Sequence, residues 1–117
     1  MRVGSLDYKN FTSGYWSAQQ VAVKPQCVFK PDKSLDVSIA LLIARLTKCP
    51  FAIRGGGHGA FSGSSSIEGG VTISLESLKR IDTSPDKTTV SVGPGNRWVD
   101  VYQALEPQQL GVVGGRV

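Results

Sequence analysis

Apolar residues recur along this chain at two spacings, one typical of short strands and the other of helices. Short apolar or alternating runs predict strands over residues 27–29, 51–53, 71–75 and 88–92. Helical spacing predicts two helices, over about residues 34–46 and 96–105. The pieces between them are predicted as a short turn or helical segment at 77–81 and a turn at 84–87.

The first predicted helix has a signal at each end and one apolar face. Ser34 is predicted to cap its N-terminus, and Asp36 lies in the first turn, where a negative charge suits the helix dipole. Pro50 prevents the helix from continuing. The residues predicted to form its buried face are Leu35, Ile39, Leu42, Ile43 and Leu46.

The order of elements predicts an α+β fold, α/β-like in part, with a small mixed sheet and two helices. Strand, helix and strand over residues 27–53 predict a right-handed crossover between parallel strands. The strand at 88–92 is expected to run antiparallel to the strand before it. In the second helix, a stripe is predicted to face the core, namely Trp98, Val101, Tyr102 and Leu105.

The chain is predicted to divide into an N-terminal arm, residues 1–26, and a domain, residues 27–117. The arm is polar and irregular in sequence, and Tyr15 and Trp16 are expected to anchor it by core packing. The 117 residues set an upper limit of one domain.

Composition excludes several classes of function. The net charge of +4 is mild and its lysines and arginines are scattered, which does not favour nucleic-acid binding. The sequence contains no run of about 18 apolar residues that would span a membrane. The first residues lack the apolar core of a signal peptide.

Two cysteines, Cys27 and Cys49, permit a single disulfide, and two buried free thiols are the alternative. Their placement at the starts of two strands joined by the crossover helix favours the disulfide, and we expect it to form. The triplet Asn10-Phe11-Thr12 is an N-glycosylation acceptor pattern, which matters only in a secreted protein.

A glycine-rich loop follows the second strand and carries the main chemical signal. It reads Arg54-Gly55-Gly56-Gly57-His58-Gly59 and contains the only histidine in the chain. Glycines let backbone N–H groups approach a ligand closely, and a run of such amides suits an anion such as phosphate. Arg54 adds a permanent positive charge. The loop follows the carboxyl end of a strand, where ligands bind in open α/β sheets.

Two interpretations of this loop remain open from the residues alone. One is a flexible glycine turn with a surface histidine, and the other is a diphosphate cradle with a reactive imidazole. The loop is neither a dinucleotide fingerprint, because no helical pattern follows Gly59, nor a P-loop, because no Lys-Ser or Lys-Thr pair follows the glycines. With one histidine and no Cys or His at ligand spacing, the sequence does not predict a metal site.

Five segments together resemble the berberine-bridge-enzyme-like FAD-linked oxidases of the vanillyl-alcohol oxidase superfamily. In order they are YWSAQQ at 15–20, RGGGH at 54–58, GGVTISL at 69–75, VGPGNRW at 92–98 and GVVGGRV at 111–117. The resemblance covers nearly the whole chain from residue 15. It implies the first lobe of a PCMH-type FAD-binding domain, with the rest of that domain and a substrate domain lying beyond this sequence.

The resemblance implies FAD as cofactor and assigns its contacts. His58 would be bonded covalently to the 8α-methyl carbon of the flavin. The backbone amides from Arg54 through Gly59 would hold the diphosphate, and Ser62, Gly63 and Ser64 would extend that contact. Alongside the flavin ring would run Gly114, Gly115 and Val117.

This sequence departs from its relatives at two cofactor positions. Val117 stands where some relatives have a cysteine that attaches FAD a second time, so a single attachment is implied. Gly59 stands where many relatives have serine, which removes a hydroxyl and leaves the backbone amide.

The implied activity is oxidation of an alcohol or sugar-like substrate with oxygen as acceptor. The family's catalytic base, usually a tyrosine, lies in the substrate domain, so no catalytic residue is predicted in this chain, which alone is expected to be inactive. The alternative is a non-catalytic remnant or a small nucleotide-binding module.

Relatives are mostly secretory, which implies a secreted protein and an N-terminus that is incomplete. The partners implied are a small-molecule substrate and oxygen, with no nucleic acid and no membrane.

Overall fold

Three parallel strands form the sheet that carries the glycine loop. The structure, a computed structural model, describes residues 1–115. The strands are β1 (Cys27–Phe29), β2 (Phe51–Arg54) and β3 (Val71–Ser74), and their order across the sheet is β1–β3–β2. β3 pairs in parallel with both neighbours. The predicted parallel arrangement is therefore confirmed, but β3 separates the two strands that the crossover joins.

Helix α3 (Ser34–Thr47) connects β1 to β2. Its N-cap is Lys33 and not the predicted Ser34, because the Asp36 carboxylate reaches back and accepts from the backbone N–H groups of Asp32 and Lys33, both at 3.2 Å. The helix ends where Lys48 adopts a left-handed conformation with φ of 53°, two residues before Pro50.

The predicted buried face of α3 is wrong within the residues that the structure describes. Leu35 is 60% exposed and Leu46 is 82% exposed, and Ile39, Leu42 and Ile43 are also exposed. Only Ala44 of this helix is buried. A cavity of about 520 Å³ separates α3 from the sheet residues Phe29, Phe51 and Ile73. The helical spacing shows which residues share a face, but α3 lies too far from the sheet to cover that face.

The N-terminal arm is helical, contrary to the irregular structure predicted for it. α1 (Leu6–Ser13) is capped by Ser5, whose Oγ accepts from the N–H of Tyr8 at 3.2 Å, and α2 (Ala18–Val21) follows. Tyr8, Phe11 and Tyr15 are buried and pack with Val28 of β1 in one cluster. Packing through Tyr15 is confirmed, whereas Trp16 is 67% exposed and not in the core.

The chain after β3 forms a two-stranded antiparallel sheet and a helix. β4 (Ile81–Thr83) pairs with β5 (Val90–Val92), so the predicted strand at 88–92 pairs with a segment partly predicted as a turn and not with β3. The turn between them is held by Asp86, which accepts from the hydroxyl of Ser84 at 2.6 Å.

α4 (Trp98–Leu105) ends in a short 3-10 turn (Glu106–Gln108) that contains Pro107. Its cap is Arg97, one residue beyond the predicted start of the helix at Asn96, because the Asp100 carboxylate accepts from the Arg97 N–H at 2.9 Å. The structure thus confirms the α+β class, with four helices among the described residues where two were predicted. None of these helices has the length and apolarity needed to cross a membrane.

Cys27 and Cys49 are free, so the predicted disulfide is not present. The strand order explains why. Neighbouring strands lie about 4.8 Å apart, so β1 and β2 are about 10 Å apart across β3. A disulfide needs Cα atoms within about 7 Å. Cys27 opens β1 and Cys49 lies two residues before β2, which places them on opposite sides of the central strand.

Candidate functional site

The glycine loop leaves the carboxyl end of β2 and presents a run of backbone N–H groups. No N–H group of residues 55–63 donates to an acceptor within residues 1–115. Consecutive amides without an internal acceptor can donate to an anion. These amides are therefore available to an anion, as the diphosphate-cradle interpretation requires, whereas in a flexible glycine turn they would donate to water.

Two glycines of this loop occupy positions where a side chain would not fit. Gly57 has φ of 72°, a conformation that glycine adopts without strain. A Cβ on Gly59 would lie 2.6 Å from the Cβ of Ser64. A serine at position 59 would therefore require a different placement of Ser64.

His58 is exposed and lines a cavity of about 600 Å³ beside the loop. Two indoles, those of Trp16 and Trp98, line the same cavity, as does the guanidinium-bearing Arg97 at the start of α4. The wall therefore combines loop backbone, aromatic surface and positive charge, which suits a ligand with an anionic part and a flat apolar part.

Arg54 lies at this cavity but its guanidinium is engaged with the N-terminal arm. The Cζ atom lies 4.4 Å from the centre of the Phe11 ring and 3.9 Å from that of Tyr15. The two terminal nitrogens donate to the carbonyls of Phe11 at 3.3 Å and Gly14 at 3.4 Å. Arg54 thus fastens the arm to the base of the loop. The sequence interpretation gave this residue a charge and a backbone amide for the diphosphate, and did not include this role.

Side chains of the arm donate to carbonyls on the far side of the loop. The Tyr15 hydroxyl donates to the carbonyl of Ser65 at 2.8 Å, and the Ser17 hydroxyl donates to that of Ala60 at 2.5 Å. The Gln20 Nε2 donates to the carbonyl of Gly59 at 3.4 Å and to the hydroxyl of Ser64. The loop is therefore held on one side by the arm, while His58 is exposed to the cavity.

The second glycine-rich segment reaches the site through Trp98. A Cβ on Gly114 would lie 2.6 Å from Cζ3 of the indole, and a Cβ on Gly115 would lie 2.7 Å from its Nε1. Both glycines therefore rest directly on the ring that lines the His58 cavity. Val117, the third residue predicted here, lies outside the described residues.

The predicted extension through Ser62, Gly63 and Ser64 is not part of the His58 cavity. Ser62 and Gly63 line a separate cavity with Ala22 and Ile67, while the Ser64 hydroxyl contacts Gln20. Of the predicted site residues within 1–115, Arg54, Gly56, Gly57 and His58 line the His58 cavity, and Gly114 and Gly115 reach it through Trp98. Gly55 and Gly59 belong to the same loop but do not line that cavity.

Sequence reasoning missed the aromatic and polar residues that surround the loop. Trp16 and Trp98 were both assigned to the core, and the contacts of Ser17 and Gln20 were not predicted. A signal for three of these residues was present, because Trp16, Ser17 and Gln20 belong to a segment that carries the family resemblance. Only the fold shows that this segment packs on the loop.

An ion pair fixes the neighbouring end of the sheet. Lys30, which follows β1, pairs with Glu76, which follows β3, and Glu76 also accepts from the Ser74 hydroxyl at 3.2 Å. Burial alone would raise the pKa of Glu76, but the hydrogen bond and charge of Lys30, aided by Ser74, lower it below its ordinary value. The carboxylate therefore stays ionised at neutral pH and holds the two outgoing chains together.

Comparisons with known proteins agree with this arrangement. The FAD binding domain family matches residues 25–114. An FAD-dependent monooxygenase of Cochliobolus heterostrophus is 37% identical over 95% of this chain and 23% of its own length. Two others, from Aspergillus calidoustus and Penicillium terrestre, are 40% and 43% identical over 97% and 86% of this chain and 22% and 20% of their own lengths.

A solved structure shares the fold. A BBE-like 1 variant of Physcomitrella patens superposes with a TM-score of 0.76 at 21% identity, over 92% of this chain and 23% of that one. The chain thus spans between 20% and 23% of the length of the relatives compared. The chain belongs to the FAD binding domain family of FAD-linked oxidoreductases, as its resemblance to the berberine-bridge-enzyme-like oxidases implied, and FAD is the cofactor of that family.

Proposed function

We propose that the loop from Gly55 to Gly59 holds the diphosphate of FAD through backbone amides and that His58 attaches the flavin. The observation that carries the proposal is the run of N–H groups over residues 55–63 with no acceptor within residues 1–115. An anion beside such a run receives several charge-assisted hydrogen bonds at once. The loop backbone can approach it closely because Gly55, Gly56, Gly57 and Gly59 carry no Cβ.

The surroundings of His58 fit the flat part of the same cofactor. The indoles of Trp16 and Trp98 border the cavity that His58 lines, and Gly114 and Gly115 lie against one of them. Aromatic walls exclude water and suit a planar ring system. Arg97 adds a positive charge at the same cavity, while Arg54 acts chiefly by fastening the arm.

FAD, when bound, supplies the electron-accepting chemistry, and the protein supplies position and electrostatics. In this chain the loop amides bind the anionic part, His58 fixes the ring end, and the aromatic wall keeps water away from it. For the whole protein we propose oxidation of an alcohol or sugar-like small molecule with oxygen as acceptor. The three fungal relatives are named FAD-dependent monooxygenases, which supports oxygen as a reactant.

The test is the His58→Ala substitution, with Ser62→Ala as a matched control from the separate cavity. Both variants and the wild-type chain are produced with FAD, denatured and examined by mass spectrometry. We expect covalent flavin on the wild type and the Ser62→Ala chain, and none on His58→Ala. The His58→Ala chain should still bind FAD reversibly, because the diphosphate contacts come from backbone.

Two outcomes would contradict parts of this proposal. Flavin still bonded to His58→Ala would rule out this histidine as the attachment point. Backbone amide resonances of residues 55–59 that stay unchanged when the wild-type chain is titrated with FAD would rule out the diphosphate cradle.

A further inference from the structure

Three arm side chains donate hydrogen bonds to backbone carbonyls on the far side of the glycine loop. The acceptors are the carbonyls of Gly59, Ala60 and Ser65, and the donors are Gln20, Ser17 and Tyr15 respectively. All three donors are buried. Two of these carbonyls belong to the residues that directly follow His58.

Fixing a carbonyl also fixes the N–H group of the next residue. The peptide unit is planar and trans, so its C=O and N–H bonds point in opposite directions. When Gln20 holds the Gly59 carbonyl toward the arm, the N–H of Ala60 points away from the arm. Ser17 acts in the same way on the Ala60 carbonyl and the N–H of Phe61. Both N–H groups belong to the run that has no acceptor within residues 1–115.

Gln20 has a second unusual feature. Its side chain is 0% exposed, and its Oε1 has no hydrogen-bond partner among the described residues, while its Nε2 faces the loop. Only the NH₂ group can donate to the Gly59 carbonyl, and here it also donates to the Ser64 hydroxyl, so this orientation serves the loop and leaves the buried oxygen unsatisfied. An unsatisfied buried acceptor destabilises a fold, and such groups occur where a functional constraint sets their orientation.

We infer that Gln20 is a positioning residue for the cofactor loop, with Ser17 as its partner. Together they turn the N–H groups of Ala60 and Phe61 toward the ligand side of the loop. These two donors extend the anion cradle past His58, along backbone instead of through the hydroxyls of Ser62 and Ser64. The inference rests on the proposed function only for the identity of the ligand, FAD.

The experiment compares the wild-type chain with Gln20→Met and Tyr8→Phe. Gln20→Met keeps the length of the side chain and removes its donors. Tyr8→Phe is the matched control, because it removes a buried arm hydrogen bond, from the Tyr8 hydroxyl to the Pro25 carbonyl at 2.7 Å, that does not involve the loop. For each protein the thermal midpoint, the FAD affinity and the amide resonances of residues 55–63 without ligand are measured.

We expect Gln20→Met to weaken FAD binding about five- to tenfold and to shift the ligand-free resonances of residues 59–61. Tyr8→Phe should lower the thermal midpoint without either effect. Ser17→Ala should reproduce the Gln20→Met result more weakly, and it replaces that variant if Gln20→Met does not fold.

Each outcome decides the inference. Wild-type affinity together with unshifted resonances at 59–61 in these variants would overturn it, as would equal losses of affinity in Tyr8→Phe. If the wild-type chain shows no FAD binding, the ligand assignment fails. The ligand-free resonances then still decide whether Gln20 positions the loop.

Discussion

The two faces of the three-stranded sheet differ in a way that their composition does not predict. One face presents Val28, Thr72 and Ser74, all at most 1% exposed, and Val28 packs with the N-terminal arm. On the other face Ile73 of the central strand is buried, but Phe29, Phe51 and Ile53 of the two outer strands remain between 37% and 43% exposed beside α3. The face with more hydroxyl groups is therefore the better covered one.

The difference comes from the partner that each face has. The arm contributes the rings of Tyr8, Phe11 and Tyr15, which pack with Val28, and Arg54 stacks on two of those rings. α3 contributes an apolar stripe, but a cavity of about 520 Å³ lies between it and the sheet. Apolar character alone does not produce burial, because side chains must also meet at contact distance. The glycine loop is held from the well-packed face, where a fixed geometry is possible.

The largest expected effect comes from truncating a buried side chain of the N-terminal arm, and an exposed side chain of α3 is truncated for comparison. Phe11→Ala removes a buried ring that contacts Tyr15 and Arg54, and it should lower the free energy of unfolding by about 3 kcal/mol or more. Leu42→Ala, on the exposed stripe of α3, should change it by less than about 0.5 kcal/mol. Urea denaturation of both variants measures the two values. A loss for Leu42→Ala comparable to that of Phe11→Ala would show that the α3 face is covered in solution.

A smaller effect is expected from Arg54→Lys, which separates the charge of this residue from its shape. Lysine keeps the positive charge but cannot donate to the Phe11 and Gly14 carbonyls while stacking on two rings. We expect a loss of about 1–2 kcal/mol in the free energy of unfolding and weaker FAD binding. If charge at the diphosphate is its main contribution, FAD affinity should survive the substitution, which would contradict the fastening role. Arg97→Lys, at the exposed edge of the same cavity, is the control and should leave stability unchanged.

The sequence predicted most elements of the fold because their signals are local. The three strands of the main sheet follow from short apolar runs, and α3 ends near Pro50, as predicted. α1 was missed because it is short and only Leu6, Tyr8 and Phe11 of its eight residues are apolar. Its Tyr8 and Phe11 are buried by packing with Val28, which is distant in sequence. The disulfide was wrong because sequence order does not reveal that β3 inserts between β1 and β2.

The part of the candidate site that consists of one continuous glycine loop could be predicted from the sequence. The contacts between residues far apart in the chain could not. The run of glycines around His58 indicates, in the sequence itself, a loop whose backbone can approach a ligand closely. The contacts of Gln20 with Gly59, and of Gly114 with Trp98, join positions far apart in the chain. Such contacts depend on the path of the whole backbone. The same limit applies to α3, whose pattern indicates an apolar face and cannot indicate the distance to its neighbour.

The smallest expected effect concerns the Lys30–Glu76 pair at the end of the sheet. Glu76→Gln removes the negative charge and keeps the size, and it should cost less than about 1 kcal/mol at neutral pH, because both side chains are more than a third exposed to water. The pKa of Glu76 is lowered in the folded chain. Its contribution is therefore present above the ordinary pKa of glutamate and is lost as the pH falls through the lowered, folded-state value. Stability measured by urea denaturation should differ between Glu76→Gln and the wild type at neutral pH and converge in acid.

Asp82→Asn is the control, since the Arg80–Asp82 pair is more exposed and its loss should leave stability within the error of the measurement. A Glu76→Gln difference that grows on acidification would show that the folded state raises this pKa, and the pair would then not stabilise the edge of the sheet beside the loop.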